Sequence, residues 1–214
     1  MEILYGDREI LVCVKPAGIL SEEGEGAMPE LLRAAVGPGE IFCVHRLDRE
    51  TGGLMVYART RDAAAALSRT IAAGQLAKRY LAVVQGAPEA PAGELRDLLY
   101  RDARKNKSFV VRRARRGVRE AVLRYETLES REGLSLLRVE LVTGRSHQIR
   151  VQFASRGLPL AGDGRYGSAW RDCGLALWSA ELSFPHPRTG EQIAKALPPP
   201  AVWPWTLFEG LSAP

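Results

Sequence analysis

Cys43-Val44-His45-Arg46-Leu47-Asp48-Arg49-Glu50-Thr51-Gly52-Gly53-Leu54 places an acid just after an apolar stretch. The Thr-Gly-Gly that follows predicts a turn at which the backbone can come close to a ligand. Two further segments share this character, with polar residues set between apolar anchors. One is Lys78-Arg79-Tyr80-Leu81-Ala82-Val83-Val84-Gln85-Gly86, and the other Leu141-Val142-Thr143-Gly144-Arg145-Ser146-His147-Gln148-Ile149-Arg150. Strand ends and turns that carry Asp, Arg, Tyr and His are where active sites form. Taken singly, each residue has a plainer reading: Asp48 as a turn or cap, Tyr80 as a core strand residue, Arg150 as a surface helix residue.

Around these segments the pattern mixes strands and helices. Ile10–Val14 is a short apolar run stopped by Lys15-Pro16-Ala17-Gly18, which predicts a buried strand and a turn. Pro29 opens a short helix with Gly37 just beyond its end. Thr60 is the N-cap of a second helix, with Ala64, Leu67 and Ile71 on one face and Gly74 closing it. Tyr80–Val84 reads as a strand, and so do Ala121–Leu128 and Leu134–Val142, with Arg131-Glu132-Gly133 as the turn between the last two. Ser146–Arg156 reads as a helix with Ile149 and Phe153 on one face, and Leu175–Leu182 as a further strand. The Pro- and Trp-rich tail is expected to be irregular but packed. Without regular βαβ alternation the predicted class is α+β, with a mixed, largely antiparallel sheet.

Composition narrows the function. No apolar run reaches the roughly 18 residues of a membrane span, and the first residues lack the features of a signal peptide. Cys13, Cys43 and Cys173 are too few and too scattered for a disulfide framework or a zinc site. A cytoplasmic protein is expected. The net charge of +5 is concentrated in one strip. Between Arg101 and Arg119 there are nine basic residues against one acid, Asp102, so the rest of the chain is net acidic. Such a strip suits a polyanion such as RNA, although a solvated loop would read the same way. Gly162-Asp163-Gly164-Arg165-Tyr166-Gly167 fits a G-x-G-x-x-G pattern. No βαβ unit surrounds it, which argues against a dinucleotide site.

The first segment resembles the HRLD-x-x-T-[SG]-G-L signature of RluA-type pseudouridine synthases. The second is similar to their K-x-Y-x-A-x-V-x-G strand and the third to their L-x-T-G-R-x-H-Q-I-R stretch. The likeness extends to Ile3–Leu20, to Leu158–Gly167 and to Ser183–Glu191, so it covers nearly the whole chain in order. It departs from the family pattern at two places: Gly52 stands where Ser is frequent, and Leu177-Trp178-Ser179 where L-H-A is usual.

The resemblance implies one catalytic domain over residues 1–214, without the S4 domain of many relatives, built as two sheet-sharing halves with a central active-site cleft. It implies Asp48 as the catalytic carboxylate, Tyr80 stacked on the target base, and Arg150 paired with Asp48. Arg46 would enter the gap left by the flipped base. His45, Thr51, Arg145 and His147 are expected to meet RNA beside it, His45 and His147 also ordering backbone. Arg112, Arg113, Arg115 and Arg116 of the strip are expected to grip RNA backbone. The implied reaction flips a uridine of rRNA or tRNA out of its stack, at a cost of a few kcal/mol. Aromatic stacking of about 1–3 kcal/mol per base offsets part of this. No metal, nucleotide or other cofactor is implied, and a monomer is expected. The alternative is a non-catalytic RNA-binding or ribosome-assembly protein that keeps the fold.

Overall fold

A computed structural model of the protein describes residues 2–211. Its elements, in chain order, are β1 (Ile3–Gly6), β2 (Ile10–Lys15), α1 (Met28–Val36), β3 (Phe42–Cys43), β4 (Gly52–Ala58), α2 (Arg61–Ala72), β5 (Ala77–Gln85), β6 (Ala92–Asp102), β7 (Lys107–Val111), β8 (Val118–Arg131), β9 (Leu134–Leu141), α3 (Gln148–Ala154), β10 (Leu177–Pro185) and β11 (Gln192–Ala196). Two short 3₁₀ turns follow in the tail. Few helices and mostly antiparallel strands make the class α+β, as the sequence predicts. Two compact units divide the chain. One comprises the residues up to Lys78 with Trp178–Leu197, the other Arg79–Leu177 with the tail from Pro198.

In the first unit β2 lies antiparallel between β1 and β4, β4 runs parallel to the start of β10, and β10 pairs antiparallel with β11. Ile10, Val12, Leu54 and Val56 pack with Leu67 of α2 and with Leu182 and Phe184. The alternate residues Leu11, Cys13, Met55 and Tyr57 are buried as well. Burial on both faces is the reason these strands read as unbroken apolar runs. Thr60 caps α2 as predicted, its Oγ1 accepting from Ala63 N at 3.1 Å, a contact worth about 1 kcal/mol.

One expectation needs correction here. Gly52 and Gly53 begin strand β4 and do not form a turn facing a ligand. What comes close to them is β10. A Cβ on Gly53 (φ 116°) would lie 2.4 Å from the Ser179 carbonyl oxygen, and one on Gly52 would lie 2.5 Å from the Trp178 ring.

In the second unit the strand order is β5-β9-β8-β6-β7, and each neighbouring pair is antiparallel. Glu132 and Gly133, both left-handed, close the β8–β9 hairpin, as a tight hairpin loop requires. Helix α3 covers one face: its Phe153 ring meets Tyr125 edge-on at 5.6 Å, and its Val151 packs on Leu99 and Ala121. α3 is shorter than the predicted 146–156 because His147 is left-handed (φ 54°) and so cannot lie in the first turn. Alternation along β6 turns Leu95, Asp97, Leu99 and Arg101 toward α3 and Leu98 and Tyr100 away from it. Contacts from Gln152 to Asp97 and from Arg101 to Ser146 agree with this.

Candidate active site

Asp48 is half-buried on the connection between β3 and β4, in a turn closed by Thr51 N donating to the Asp48 carbonyl at 3.0 Å. Three groups from the Lys15–Ser21 segment hold this turn. Gly18 N donates to the Arg49 carbonyl at 2.7 Å, and Arg49 Nε donates back to the Gly18 carbonyl at 2.8 Å. Ser21 Oγ donates to the Leu47 carbonyl at 3.0 Å and lies 3.1 Å from Leu47 N, while the Tyr57 hydroxyl donates to the Ser21 carbonyl at 2.8 Å. The third group is Lys15. Its side chain is fully buried, and Nζ donates to the carbonyls of Pro16, Ile19 and Arg49 at 2.9, 2.7 and 3.1 Å. Burial pushes its pKa down to about 8, opposed by the carboxylates of Asp48 and Glu50. Lys15 therefore stays charged at neutral pH and places a cation beneath the turn that carries Asp48.

His45 Nε2 accepts from Val56 N at 3.1 Å, so the ring is a neutral backbone anchor. Burial, and then the Lys78 ammonium, push its pKa well below the usual histidine range. Arg46 is exposed and pairs with Glu22 at 2.5 Å. Thr51 is 1% exposed and its Oγ1 has no hydrogen-bond partner. A hydroxyl buried so deeply is not presented to solvent.

In the second unit Tyr80 pairs with Val139, which pairs with Tyr125, and so lies on the face covered by α3. Arg150 projects from α3 and is 2% exposed. Its Nε and Nη2 donate to the Asp163 carboxylate at 2.8 and 2.9 Å, a bidentate pair buried on both sides. Such a pair fixes the plane of the guanidinium. The loop before α3 is pinned by Gln148, whose Oε1 accepts from Arg145 N and Thr143 Oγ1, both at 2.9 Å, while its Nε2 donates to the Val122 carbonyl at 3.0 Å. Arg145 is exposed, its Nε donating to the Glu120 carbonyl. His147 is buried, with Nδ1 2.9 Å from the Tyr166 hydroxyl.

The basic strip is not one surface. Arg101, Arg104, Lys105 and Lys107 belong to the β6–β7 hairpin, at whose end Arg101 reaches Ser146 on the α3 side. The connection 112–117, carrying Arg112, Arg113, Arg115 and Arg116, crosses the other face. The Arg115 guanidinium stacks on the Tyr100 ring at 4.9 Å, and Gly117 (φ 84°) turns beside the same ring. All four arginines are exposed.

Sequence reasoning passed over Lys15, Ser21, Asp163 and Tyr166 as functional residues. Lys15 did carry a signal, a charge placed directly on the end of a buried strand. Asp163 and Tyr166 were visible only as spacers in a glycine pattern.

The fold is that of the pseudouridylate synthases. It matches human RNA pseudouridylate synthase domain containing 4 with a TM-score of 0.80 and 24% identity, covering 96% of this chain and 91% of that one. The match to human RNA pseudouridylate synthase domain containing 1 has a TM-score of 0.78 at 22% identity, covering 94% of this chain and 84% of that one. In sequence, the family model described as RNA pseudouridylate synthase matches residues 9–155. The uncharacterized RNA pseudouridine synthase YhcT of Bacillus subtilis is 34% identical over 212 residues, 94% of this chain and 69% of that protein. Ribosomal large subunit pseudouridine synthase C of Escherichia coli is 35% identical over 204 residues, 88% of this chain and 63% of that protein. The chain belongs to the RNA pseudouridylate synthase family and is an isomerase acting on RNA.

Proposed function

We propose that this enzyme converts specific uridines of rRNA or tRNA to pseudouridine with Asp48 as its catalytic carboxylate. The base is flipped out, the N1–C1′ bond breaks, the uracil turns, and C5 is joined to C1′. The ionised carboxylate serves as nucleophile at C1′ or as base for the 2′ proton, and both roles require its negative charge. Arg150 is assigned as the cationic partner of the carboxylate, and Tyr80 as the ring for the uracil. Arg46 and Arg145 are assigned as RNA contacts, and His45 and His147 act through the backbone they order. Arg112, Arg113, Arg115 and Arg116 add phosphate contacts away from the target base.

The observation that carries this reading is the clamp on the Asp48 turn, where backbone bonds and a buried lysine fix an acid at the position of the family's signature. The ribosomal substrate named for the Escherichia coli relative favours rRNA. The reaction needs no metal or nucleotide, and the enzyme acts as a cytoplasmic monomer. No helix among the described residues is long and apolar enough to cross a membrane.

Asp48→Asn tests the assignment. It keeps the size of the side chain and removes its charge. Tritium placed at uridine C5 is released when C5 becomes bonded to C1′. The variant is expected to release none while binding RNA as the wild type does. Turnover near the wild-type rate would remove Asp48 from the chemistry.

A further inference from the structure

Tyr166 is half-buried between two cations. The Lys107 ammonium lies 4.9 Å from its ring centroid, and the Arg150 guanidinium carbon 5.3 Å from it. Its hydroxyl accepts from Ser108 N at 2.8 Å and lies 2.9 Å from His147 Nδ1. One side chain thus touches the β6–β7 hairpin, the residue before α3, and the arginine of α3.

Other bonds tie the hairpin down at the same place. Ser108, 2% exposed, donates from Oγ to the Ser146 carbonyl at 2.7 Å. Lys107 Nζ donates to the Arg165 carbonyl at 2.7 Å, and Arg165 Nη1 returns to the carbonyls of Lys105 and Asn106 at 3.4 and 3.2 Å. Arg101 Nη2 donates to Asn106 Oδ1 at 3.1 Å inside the turn. The hairpin's tip is therefore fastened to the α3 region and does not swing as a free loop.

Its charge is one-sided. Arg104 and Lys105 are exposed on the tip, with Arg101 and Arg165 exposed beside it and Asp102 the only acid of the turn. Like charges held together repel, and exposed cations alone contribute little to stability. Fastening them in one geometry costs conformational freedom that a polyanion can repay, because donors fixed in advance lose less on binding. The other half of the strip, at 112–117, lies across Tyr100 on the opposite face and is no part of this cluster.

We propose that the β6–β7 hairpin tip, with Arg104, Lys105 and Arg165, is a preorganised grip for the RNA phosphate backbone, and that Tyr166 is the positioning residue that locks it in register with α3. This rests on the reading of the protein as an RNA isomerase. The grip fixes the strand that flanks the target, and Tyr166 takes no part in bond breaking.

Two variants and two readouts test it. Binding to poly(U) across a salt series reads the number of phosphates held, at about 0.7 of log–log slope per contact for single strands. Arg104→Ala with Lys105→Ala should flatten the slope by about 1.4. Both residues are exposed on a turn, so the fold is expected to survive. Tyr166→Phe keeps the ring and every charge but loses the hydroxyl. It should leave the slope unchanged and raise KM by roughly three- to tenfold at nearly constant kcat, the size expected for losing one or two net hydrogen bonds. Turnover is read on total RNA from a strain lacking the gene. An unchanged slope in the double variant overturns the grip. A fall in kcat at constant KM in Tyr166→Phe overturns the latch and moves Tyr166 into the chemistry. If the wild type itself converts no uridine in that RNA, the isomerase reading fails instead, so the failures are distinguishable.

Discussion

Gly52→Ser is expected to destabilise the protein only while Trp178 is present. The new Cβ would lie 2.5 Å from Trp178 Cζ3, 3.0 Å from Cε3 and 3.3 Å from the Lys15 carbonyl oxygen. Comfortable contact between carbons begins at about 3.5 Å, so the indole has to move by about 1 Å or the strand has to part. The indole is held, because its Nε1 donates to the Leu197 carbonyl at 3.0 Å. Overpacking of this kind costs about 1–3 kcal/mol, and loss of the indole bond would add about 1 kcal/mol. Histidine at 178 lacks the six-membered ring to which both blocked carbons belong. In a Trp178→His background the serine should therefore cost little. Urea unfolding of the four proteins, wild type, each single variant and the pair, gives the coupling directly. About 2 kcal/mol is expected, with the pair more stable than the sum of the single losses. Isomerisation should follow, because Gly52 adjoins Thr51, whose N–H closes the Asp48 turn. A coupling within the roughly 0.5 kcal/mol of independent sites would refute the argument that the indole excludes a side chain at 52.

Lys15→Met leaves three carbonyls without their donor and should cost about 3 kcal/mol by thermal unfolding, with loss of turnover as the Asp48 turn loosens. The wild type carries a pH signature that the variant lacks. Lys15 titrates near 8 when folded and near 10.5 when unfolded, so over that window the unfolded chain holds the extra proton and stability rises with pH. The stability difference between wild type and variant should grow on the order of 1 kcal/mol per unit above pH 8 and be flat below it; a flat difference throughout would contradict a depressed lysine. Asp163→Asn removes the bidentate anion bound to the buried Arg150 and should cost about 3–5 kcal/mol, measured by chemical denaturation. A loss under 1 kcal/mol would mean that the pair does not hold the arginine. Replacing Arg112, Arg113, Arg115 and Arg116 with Ala should weaken RNA binding and flatten its salt dependence, with little change in turnover on saturating RNA; unchanged affinity and slope would make the crossing a solvated loop.

Sequence alone determined the elements whose pattern is local. The buried strand before Lys15, the capped α2 and the β8–β9 hairpin each follow from neighbours one to four residues apart, and the fold class follows from their order. The resemblance supplied the family through motifs that are contiguous in the chain. β6 escaped because its alternation is hidden: Asp97 and Arg101 lie on the same face as Leu95 and Leu99, satisfied by Arg156, Gln152 and Ser146 of the α3 region. Partners far apart in sequence were decided only by tertiary structure. Register sets Trp178 against Gly52, so the two departures from the family pattern lie in contact across β10 and β4. The path of the connection 112–117 across Tyr100 divides a basic strip that is continuous in the chain between two faces. Arg150 of α3 meets Asp163, and Lys15 at the end of β2 meets Arg49, across separations that no local pattern spans. Periodicity fixes which way a side chain points, whereas what it meets depends on which strand lies next to its own.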